Sequence, residues 1–331
     1  MTDPVEQGDI YFFYRPRIDV EEVEGLDDIQ RLHMILVPDE SDIARRFLVG
    51  RKSMPAIVED EQASTAREWM MNDLTGKPEA IGKTLVPLTY EAKTRGKRKQ
   101  GEAIPVAEGR YVIVERANSS RLAYRLTSPK TPHQAQRELG ILAEASYVIS
   151  VRNPAIDLPG FPAAKPDYPP HLQEKFADRR WIDIDDSRLL DYEDAQLLLV
   201  GVNDTLSDEG VTITGKAALF VTLGLSRQEW PTDALKTGEL VEPQMKPDAR
   251  APEGDPSKGG ERGGKVARQT NSAAGIAMAL KGVDLPCRRA QLVLQAKDNE
   301  APEEIIEVLN ALPDKLYETM ADIQAAFGDV R

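Results

Sequence analysis

The chain has 331 residues and a formal net charge of −13 at neutral pH, and 41% of its residues are hydrophobic while 29% are charged. This composition is typical of a folded globular protein and excludes a disordered chain, and the length allows two domains. Because an acidic surface repels phosphate backbones at long range, a general nucleic-acid-binding function is disfavoured.

Two features of the sequence bear on cellular location. The one cysteine, Cys287, cannot form an intramolecular disulfide and is typical of a reducing compartment. The first residues have no signal-peptide pattern, and no apolar run approaches the roughly 18 residues of a membrane span. We therefore expect a cytoplasmic protein that does not contact a membrane.

The first 240 residues contain several strand patterns. Short runs rich in β-branched, aromatic and other apolar residues occur at residues 9–15, 31–37, 46–49, 146–152, 180–184 and 196–202. Residues 211–230 have room for one or two more strands. Residues 91–103 are polar and basic, which predicts a mobile loop.

Four helices are predicted between these strands, the last of them a short one at residues 172–176. Residues 61–74 carry apolar side chains at roughly helical spacing, which predicts the longest helix of this region. A shorter helix is predicted to begin at Pro78, because proline suits the first helical position. A third is predicted from Pro132 to Leu139, with Gly140 as its C-terminal cap.

Residues 109–127 have the clearest local pattern in the chain. Two runs of alternating β-branched and aromatic residues flank Asn118-Ser119-Ser120, which predicts a β-hairpin with a three-residue loop. One face of each arm can be buried while the other face carries charged side chains. An isolated hairpin is only marginally stable, so neighbouring strands and a helix are expected to cover it.

Two pairs of strand patterns resemble each other. Tyr11-Phe12-Phe13 followed by RLHMILVPD at 31–39 is similar to Tyr147-Val148-Ile149 followed by QLLLVGVND at 196–204. The similarity indicates either an internal duplication of a strand–excursion–strand unit or the general likeness of strands in any sheet.

The composition changes abruptly at residue 241. Residues 241–271 are dense in Pro, Gly and charge and contain almost no large apolar residue, which predicts a flexible linker. Beyond it, residues 272–331 have a helical period, with helices opening at Pro286 and Pro302. The predicted domains are therefore 1–240, a linker over 241–271, and a small helical module over 272–331.

The C-terminal module carries a set of short motifs. They are Gly-Val-Asp-Leu-Pro at 282–286, Ala-Pro-Glu-Glu at 301–304, Leu-Pro-Asp at 312–314 and the closing segment at 317–323. On these motifs, residues 275–328 resemble the bacterial module known as domain of unknown function 2795. The resemblance implies a small helical fold and no assigned activity, and Cys287-Arg288-Arg289 departs from it by added positive charge. Residues 1–240 carry no comparable resemblance to a characterised family.

These elements together predict an α+β fold class. The expected architecture is a largely antiparallel sheet with a few helices packed against one face, followed by a tethered small all-α C-terminal module. Runs of strands with occasional short helices favour this class over the regular strand–helix alternation of a doubly wound sheet.

The strongest local charge in this acidic chain is a basic segment. It holds five cations in seven residues: Lys93, Arg95, Lys97, Arg98 and Lys99. Such a segment can contact an anionic partner, including RNA, or the acidic residues 21–28 of the same chain, or it can be a solvated loop. Tyr90 is the only aromatic residue near it, so the aromatic interleaving of a base-stacking surface is missing.

Three acidic residues lie close together in the WIDIDD segment. Asp183, Asp185 and Asp186 could supply oxygen ligands to Mg²⁺ or Ca²⁺, but the spacing of a calcium loop is missing, and a solvated strand end followed by a turn explains them better. The three histidines have no metal-ligand spacing. We therefore expect no metal, no cofactor and no catalytic residue.

The resulting functional prediction is a non-enzymatic interaction or regulatory protein. A tethered helical module would bind an unknown protein partner, because a tether keeps a weak module at high effective concentration near its target. The alternative is a small-ligand-binding protein or enzyme with a pocket beside the 109–127 hairpin, lined by Tyr111, Arg125 and Arg152. A further alternative is anion or RNA contact through residues 93–99.

Overall fold

The computed structural model divides the chain into two compact units, residues 1–250 and 251–331. The first unit is described at residues 4–17, 23, 25–58, 64–92, 96–116, 119–158, 165–207, 210–228 and 230–241, and the second at residues 279–280, 287–289, 292–293, 296, 301, 303–313, 315–317, 323 and 326. Side chains are described for these residues except 64, 88–92, 96–100, 287–288, 303–304, 307 and 316.

The first unit is built on a closed antiparallel β-barrel of eight strands. Its strands are β1 (Glu6–Pro16), β2 (Ile29–Pro38), β3 (Ala44–Val49), β4 (Arg67–Gly76), β7 (Ile104–Arg116), β8 (Ser119–Ser128), β9 (Glu144–Arg152) and β11 (Gln196–Asn203). Around the barrel they follow the order β1-β2-β3-β4-β11-β9-β8-β7, and β7 pairs with β1 to complete the circle.

Three further strands lie outside the eight-stranded circle. β10 (Trp181–Asp183) pairs with residues 150–152 of β9, beyond the segment where β9 pairs with β8. β5 (Leu88–Ala92) and β6 (Gly96–Gln100) form a separate two-stranded hairpin.

The barrel consists of two four-stranded meanders. Strands β1–β4 form one meander, and β7, β8, β9 and β11 form the other, with β1 joined to β7 and β4 joined to β11. This symmetry relates β1 to β7, whereas the sequence similarity relates β1 to β9. The internal duplication therefore stays a prediction. The sequence similarity makes β9 the equivalent of β1, whereas the order of strands in the barrel makes β7 the equivalent of β1.

The interior of the barrel is filled by alternate residues of its strands. On β1 and β2 these are Ile10, Phe12 and Tyr14, which lie opposite Leu36, Met34 and Leu32. An eight-stranded barrel is wide enough either to be filled by its own side chains or to hold one small ligand, and here these six side chains of β1 and β2 are at most 2% exposed. The interior therefore forms the main hydrophobic core.

Short helices and loops cover much of the outside of the barrel. The helices are α1 (Pro78–Leu85), α2 (Gln134–Glu138), α3 (Pro170–Gln173), α4 (Leu219–Thr222) and α5 (Asp233–Lys236). In the described parts of this unit, turns of 3-10 helix occur at Leu26–Asp28, Ser64–Ala66, Glu174–Phe176 and Ser187–Leu190.

The outer layer explains why several strands are apolar on both faces. Tyr11 and Phe13 point outward from β1 and are buried with residues of α1, α4 and α5 in a second hydrophobic cluster. A third cluster covers the outside of the 109–127 hairpin, where Val112 and Val114 pack with Leu206. No helix among the described residues has the length and apolar character needed to cross a membrane.

The second unit has its own hydrophobic core. Its described elements are β12 (Cys287–Arg288), α6 (Glu303–Ala311) and β13 (Leu316–Tyr317), and β12 pairs with β13. Ile305 and Leu309 of α6 and Tyr317 of β13 are almost fully buried in this core. The predicted helix from Pro302 is thus present, whereas the start of the predicted helix from Pro286 is a strand.

The predicted α+β fold class is wrong. The sheet does not present one face to a layer of helices; it closes on itself, because β8 pairs with β9 and β11 pairs with both β4 and β9. The C-terminal region is not an all-α module, because β12 and β13 pair there. Residues 242–278 lie outside the described residues, so the linker over 241–271 and its domain boundaries stay predictions.

Several local predictions also differ from the structure. The helix predicted over residues 61–74 is largely strand β4, and the described part of residues 211–230 contains helix α4 instead of strands. Arg116 pairs with Ser119, so a two-residue connection replaces the predicted three-residue loop of the hairpin. Part of the loop predicted over residues 91–103 is strand β6.

Candidate functional site

An ionic network lies inside the barrel, on strands that the sequence separates widely. Arg45 of β3 donates from its two terminal nitrogens to the two carboxylate oxygens of Glu6 on β1, at 2.7 and 2.9 Å. Its Nε donates to Oδ1 of Asp191 at 2.7 Å, and the Tyr111 hydroxyl of β7 donates to Oε1 of Glu6 at 2.7 Å. We call Glu6, Arg45, Tyr111 and Asp191 the interior network.

The strand registers place these side chains on the inner face. Arg45 lies opposite Leu36, which is an interior residue, and Glu6 lies opposite Ile113, which is also an interior residue. The side chains of Arg45 and Glu6 are only 3% and 7% exposed. An isolated charge so deeply buried would be strongly unfavourable, so the mutual pairing is what permits these residues in the core.

Burial and pairing shift the pKa values of Tyr111, Asp191 and Arg45 in the interior network. Burial, reinforced by the Glu6 carboxylate, raises the pKa of Tyr111 well above its ordinary value. Burial also raises the pKa of Asp191, although Arg45 partly opposes this rise. Burial lowers the pKa of Arg45, but Glu6 and Asp191 outweigh it and the net pKa is raised. Tyr111 therefore stays protonated and acts as a hydrogen-bond donor, not as a base.

The three residues predicted to line a pocket are not brought together on one face of the hairpin. Tyr111 points into the barrel, whereas Arg125 lies on the outer face, where its Nε donates to Glu144 at 2.6 Å. Arg152 is buried on β9 and donates to Oε1 of Gln196 at 2.5 Å. Tyr111 and Arg125 thus lie on opposite faces of the same sheet.

The acidic residues of the WIDIDD segment are engaged with cations. The Lys175 ammonium group donates to both carboxylate oxygens of Asp185, at 3.0 and 3.1 Å. Asp186 accepts from the backbone and the guanidinium of Arg188, and this hydrogen bonding lowers the pKa of Asp186. Asp183 is exposed. In the described parts of the chain, no three His, Cys, Asp or Glu side chains are arranged to hold a metal ion.

The basic segment is described only in part. Lys93 and Arg95 lie outside the described residues. Lys97, Arg98 and Lys99 belong to strand β6, whose backbone pairs with β5, so that Arg98 lies opposite Tyr90. The anion contact predicted for these five residues stays a prediction.

A second cationic group lies on the outer face of β1, β2 and β3. Arg15 lies directly opposite Arg31, and Phe13 directly opposite His33, which places these side chains on the same outward face. Arg46, one strand further along, lies opposite Ile35 on that face. We call Arg15, Arg31, His33 and Arg46 the outer cationic cluster.

Helix α1 holds two members of the outer cationic cluster at its C-terminal end. One terminal nitrogen of Arg15 donates to the Thr84 carbonyl at 3.0 Å, and Arg46 donates to the Thr84 hydroxyl at 2.5 Å. Arg46 also binds Asp73 through two nitrogens, at 2.9 and 3.0 Å. The positions of these arginines are therefore fixed by bonds to a helix end and a neighbouring strand.

Burial and like charges lower the pKa values of His33 and Arg15 in the outer cationic cluster. Burial lowers the pKa of His33 well below its ordinary value, and the positive charges of Arg46 and Arg15 lower it further. Burial, with Arg46 and Arg31 nearby, lowers the pKa of Arg15 to about 10. His33 is therefore a neutral imidazole among guanidinium groups at neutral pH.

Sequence reasoning did not find the outer cationic cluster. The sequence did contain a signal, which is the alternation of residues along β1 and β2. The outward positions of β1 include Phe13 and Arg15, and those of the adjacent antiparallel strand β2 include Arg31 and His33. Reading the two strands as neighbours would have placed these side chains together. The interior network has no comparable local signal.

Comparison with known proteins gives one match. The family described as "Protein of unknown function (DUF2795)" matches residues 271–324. This confirms the resemblance of the C-terminal segment to that family. The match lies in the second unit, and the family's description assigns no activity. No curated protein and no solved structure matches the chain.

Proposed function

We propose that this protein is a non-enzymatic interaction protein, in which the barrel is a rigid support and the C-terminal unit binds a partner protein. The observation that carries the proposal is the filled interior of the barrel. Phe12, Tyr14, Phe47, Tyr124 and Tyr147 point into it and are fully buried. Barrels that bind ligands leave space at this position, whereas here side chains occupy it.

The ionic groups inside the barrel favour the same proposal. Catalytic acids and bases need a free position for the substrate, whereas the Glu6 carboxylate already accepts from Arg45 and from Tyr111. The alternative pocket beside the hairpin would have used the Tyr111 hydroxyl, which is bound to Glu6. The interior network is therefore better explained as a structural pairing than as catalytic machinery.

The second unit is suited to a separate binding role. It has a hydrophobic core of its own, in which Leu309 and Leu312 are fully buried. If residues 241–271 form the predicted linker, that unit is held near the barrel at high effective concentration, and weak contacts by each can combine. A cytoplasmic location belongs to the same proposal and is supported by the one cysteine of the chain.

The proposal is tested by comparing what three forms of the full chain capture from a lysate of the native cells. The forms are the unchanged chain, Leu309→Asp and Asn310→Asp. Leu309 is fully buried in the core of the second unit, whereas its neighbour Asn310 is exposed, so the two variants add the same charge to the same helix. Only Leu309→Asp is expected to unfold the second unit.

A protein captured by the unchanged chain and by Asn310→Asp, but lost from Leu309→Asp, supports the proposal. Equal capture of that protein by all three forms contradicts it, because the second unit would then contribute nothing. Capture of no protein, together with a rise in melting temperature on addition of a small molecule, would favour a ligand-binding function instead.

A further inference from the structure

We propose that the outer cationic cluster is a binding site for a phosphate-type oxyanion, either free phosphate or the phosphoryl group of a small molecule. This site goes beyond the proposed interaction function and lies on the first unit. Its members are the guanidinium groups of Arg15, Arg31 and Arg46 and the imidazole of His33.

The first argument is that two buried polar atoms of the cluster have no hydrogen-bond partner. They are Nη1 of Arg15 and Nδ1 of His33, whose residues are only 5% and 3% exposed. A buried donor or acceptor without a partner costs about 1–3 kcal/mol, and more when the group is charged. Such groups are rare in native proteins, where ordered water or a bound ion or ligand usually satisfies them.

The second argument is the arrangement of like charges across the strands. Arg15 and Arg31 occupy directly opposite positions of an antiparallel pair, where Cβ atoms are only about 5 Å apart and like charges repel. Arg46 adds a third cation, close enough to lower the pKa of both Arg15 and His33. An anion bound between these guanidinium groups would attract each of them and would offset the repulsion between them.

The third argument is the shortage of opposing negative charge around Arg15 among the residues that the structure describes. The Asp73 carboxylate is bound by Arg46 through two nitrogens, so it is not available to Arg15. The buried Glu102 partly supports the charge of Arg15, but burial and the two other arginines still lower the pKa of Arg15. The Thr84 carbonyl accepts a hydrogen bond from Nη2 of Arg15, whereas Nη1 has no acceptor.

The chemistry of the cluster favours a small tetrahedral oxyanion. Planar guanidinium groups bind phosphate oxygens through paired N–H donors, and Thr84 already holds two of them in position. Arg15 and His33 are too buried to contact the backbone of a nucleic acid, whereas Arg31 is exposed and marks the side that faces solvent. A single phosphoryl group, approaching from the side of Arg31, is therefore the anion that we propose for the cluster.

Binding is tested on the full chain by histidine-selective nitrogen NMR during titration with inorganic phosphate. An anion beside His33 favours its protonated form, so its ring signals should move as phosphate is added. His133 and His171 are exposed and lie on other elements, so their signals serve as internal controls. A titration with chloride at equal ionic strength measures general screening.

Three variants locate the phosphate site by calorimetry. Arg15→Lys keeps the charge but loses the planar group, and should weaken phosphate binding roughly tenfold. Arg31→Gln changes an exposed residue, so the fold should tolerate it, and should weaken binding about two- to fivefold. Arg137→Gln removes an exposed arginine of helix α2 and should leave binding unchanged. A parallel titration with a phosphomonoester such as glycerol phosphate distinguishes free phosphate from the phosphoryl group of a small molecule.

Tighter binding of the phosphomonoester would assign the site to a phosphorylated small molecule, and tighter binding of inorganic phosphate would assign it to the free ion. The proposal is overturned if phosphate does not bind at millimolar concentration. It is also overturned if chloride moves the His33 signals equally, or if Arg31→Gln and Arg15→Lys bind phosphate as the unchanged chain does.

Discussion

Replacing Arg45 with methionine is the sharpest test of the interior network. Methionine retains the length and apolar character of the arginine stem, so the packing inside the barrel changes little. The change removes the cation that binds both Glu6 and Asp191, and it leaves two carboxylates in a buried site. The expected result is a large loss of stability at neutral pH.

The magnitude follows from the exposure of the groups left behind. Removing one partner of a buried ion pair costs about 3–5 kcal/mol. Because the Asp191 side chain is 25% exposed, whereas Glu6 is 7% exposed, we expect the lower part of this range, about 3–4 kcal/mol. For a unit of this size, this corresponds to a fall in melting temperature of roughly 6–16 °C.

The loss should shrink as the pH falls. Burial already raises the pKa of Asp191 above its ordinary value of 3.8, and Arg45→Met removes a group that lowers it. A carboxyl group with a raised pKa stabilises the fold in its protonated form; this contribution is fully present below pH 3.8 and is lost as the pH rises through the folded-state pKa. The variant therefore regains stability relative to the unchanged protein as the pH is lowered from 7 towards about 4.

Urea unfolding followed by tryptophan fluorescence measures this difference, because Trp69, Trp181 and Trp230 all lie in the first unit. Arg125→Met is the matched control, since the Arg125 side chain is 46% exposed and its pair with Glu144 should contribute less than about 1 kcal/mol. The reasoning is refuted if Arg45→Met costs no more than Arg125→Met, or if its cost is independent of pH.

Two further substitutions test the packing of the barrel. Gly8→Ala would place a Cβ atom 2.1 Å from the Val37 carbonyl oxygen on the neighbouring strand, and it should lower the free energy of unfolding in urea by at least about 2 kcal/mol. The control is Gly76→Ala, whose Cβ atom would meet no other atom within 4 Å, so it should change stability by less than about 0.5 kcal/mol. Equal effects would show that β1 and β2 can separate without cost. Gln136→Leu removes two buried hydrogen bonds from helix α2 to backbone carbonyls and should lower stability by about 2 kcal/mol or more, while the exposed Gln134→Leu should be nearly neutral in the same assay.

Local strand patterns could be found from the sequence, but the closed barrel could not. Strands β1, β2, β9 and β11 contain short runs rich in apolar residues, and their approximate bounds follow from those runs. Closure depends on pairings between distant segments, such as Leu198 with Trp69. Nothing local in either strand specifies that partner, so the sequence was equally compatible with a sheet covered by helices.

The error at residues 61–74 has a specific cause. Ala66, Trp69, Met70 and Leu74 recur at helical spacing, but in strand β4 the inner positions are occupied by Glu68, Met70 and Asn72. Two of these three inner residues are polar, so the period of two was hidden from a pattern based on hydrophobicity. Pairing with β3 and β11 overrode the weak helical preference.

The candidate sites could not be predicted from the sequence for the same reason, because they depend on contacts between distant segments. Tyr111 was selected from the sequence because it lies in a clear hairpin, but its partner Glu6 precedes it by 105 positions. Arg45 and Glu6 read as surface residues, since buried charges are rare and only a partner makes them possible. Residue type alone cannot distinguish a paired buried arginine from an exposed one.

The position of β11 in the chain has a consequence for synthesis. It is the last barrel strand to be made, yet it lies between β4 and β9, which end at Gly76 and Arg152. Until residue 203 has left the ribosome, the other seven strands can form only an open sheet whose two edges are unpaired. Unpaired edges are templates for association with other chains. We therefore expect the newly made protein to be most prone to aggregation while residues 153–203 are being translated.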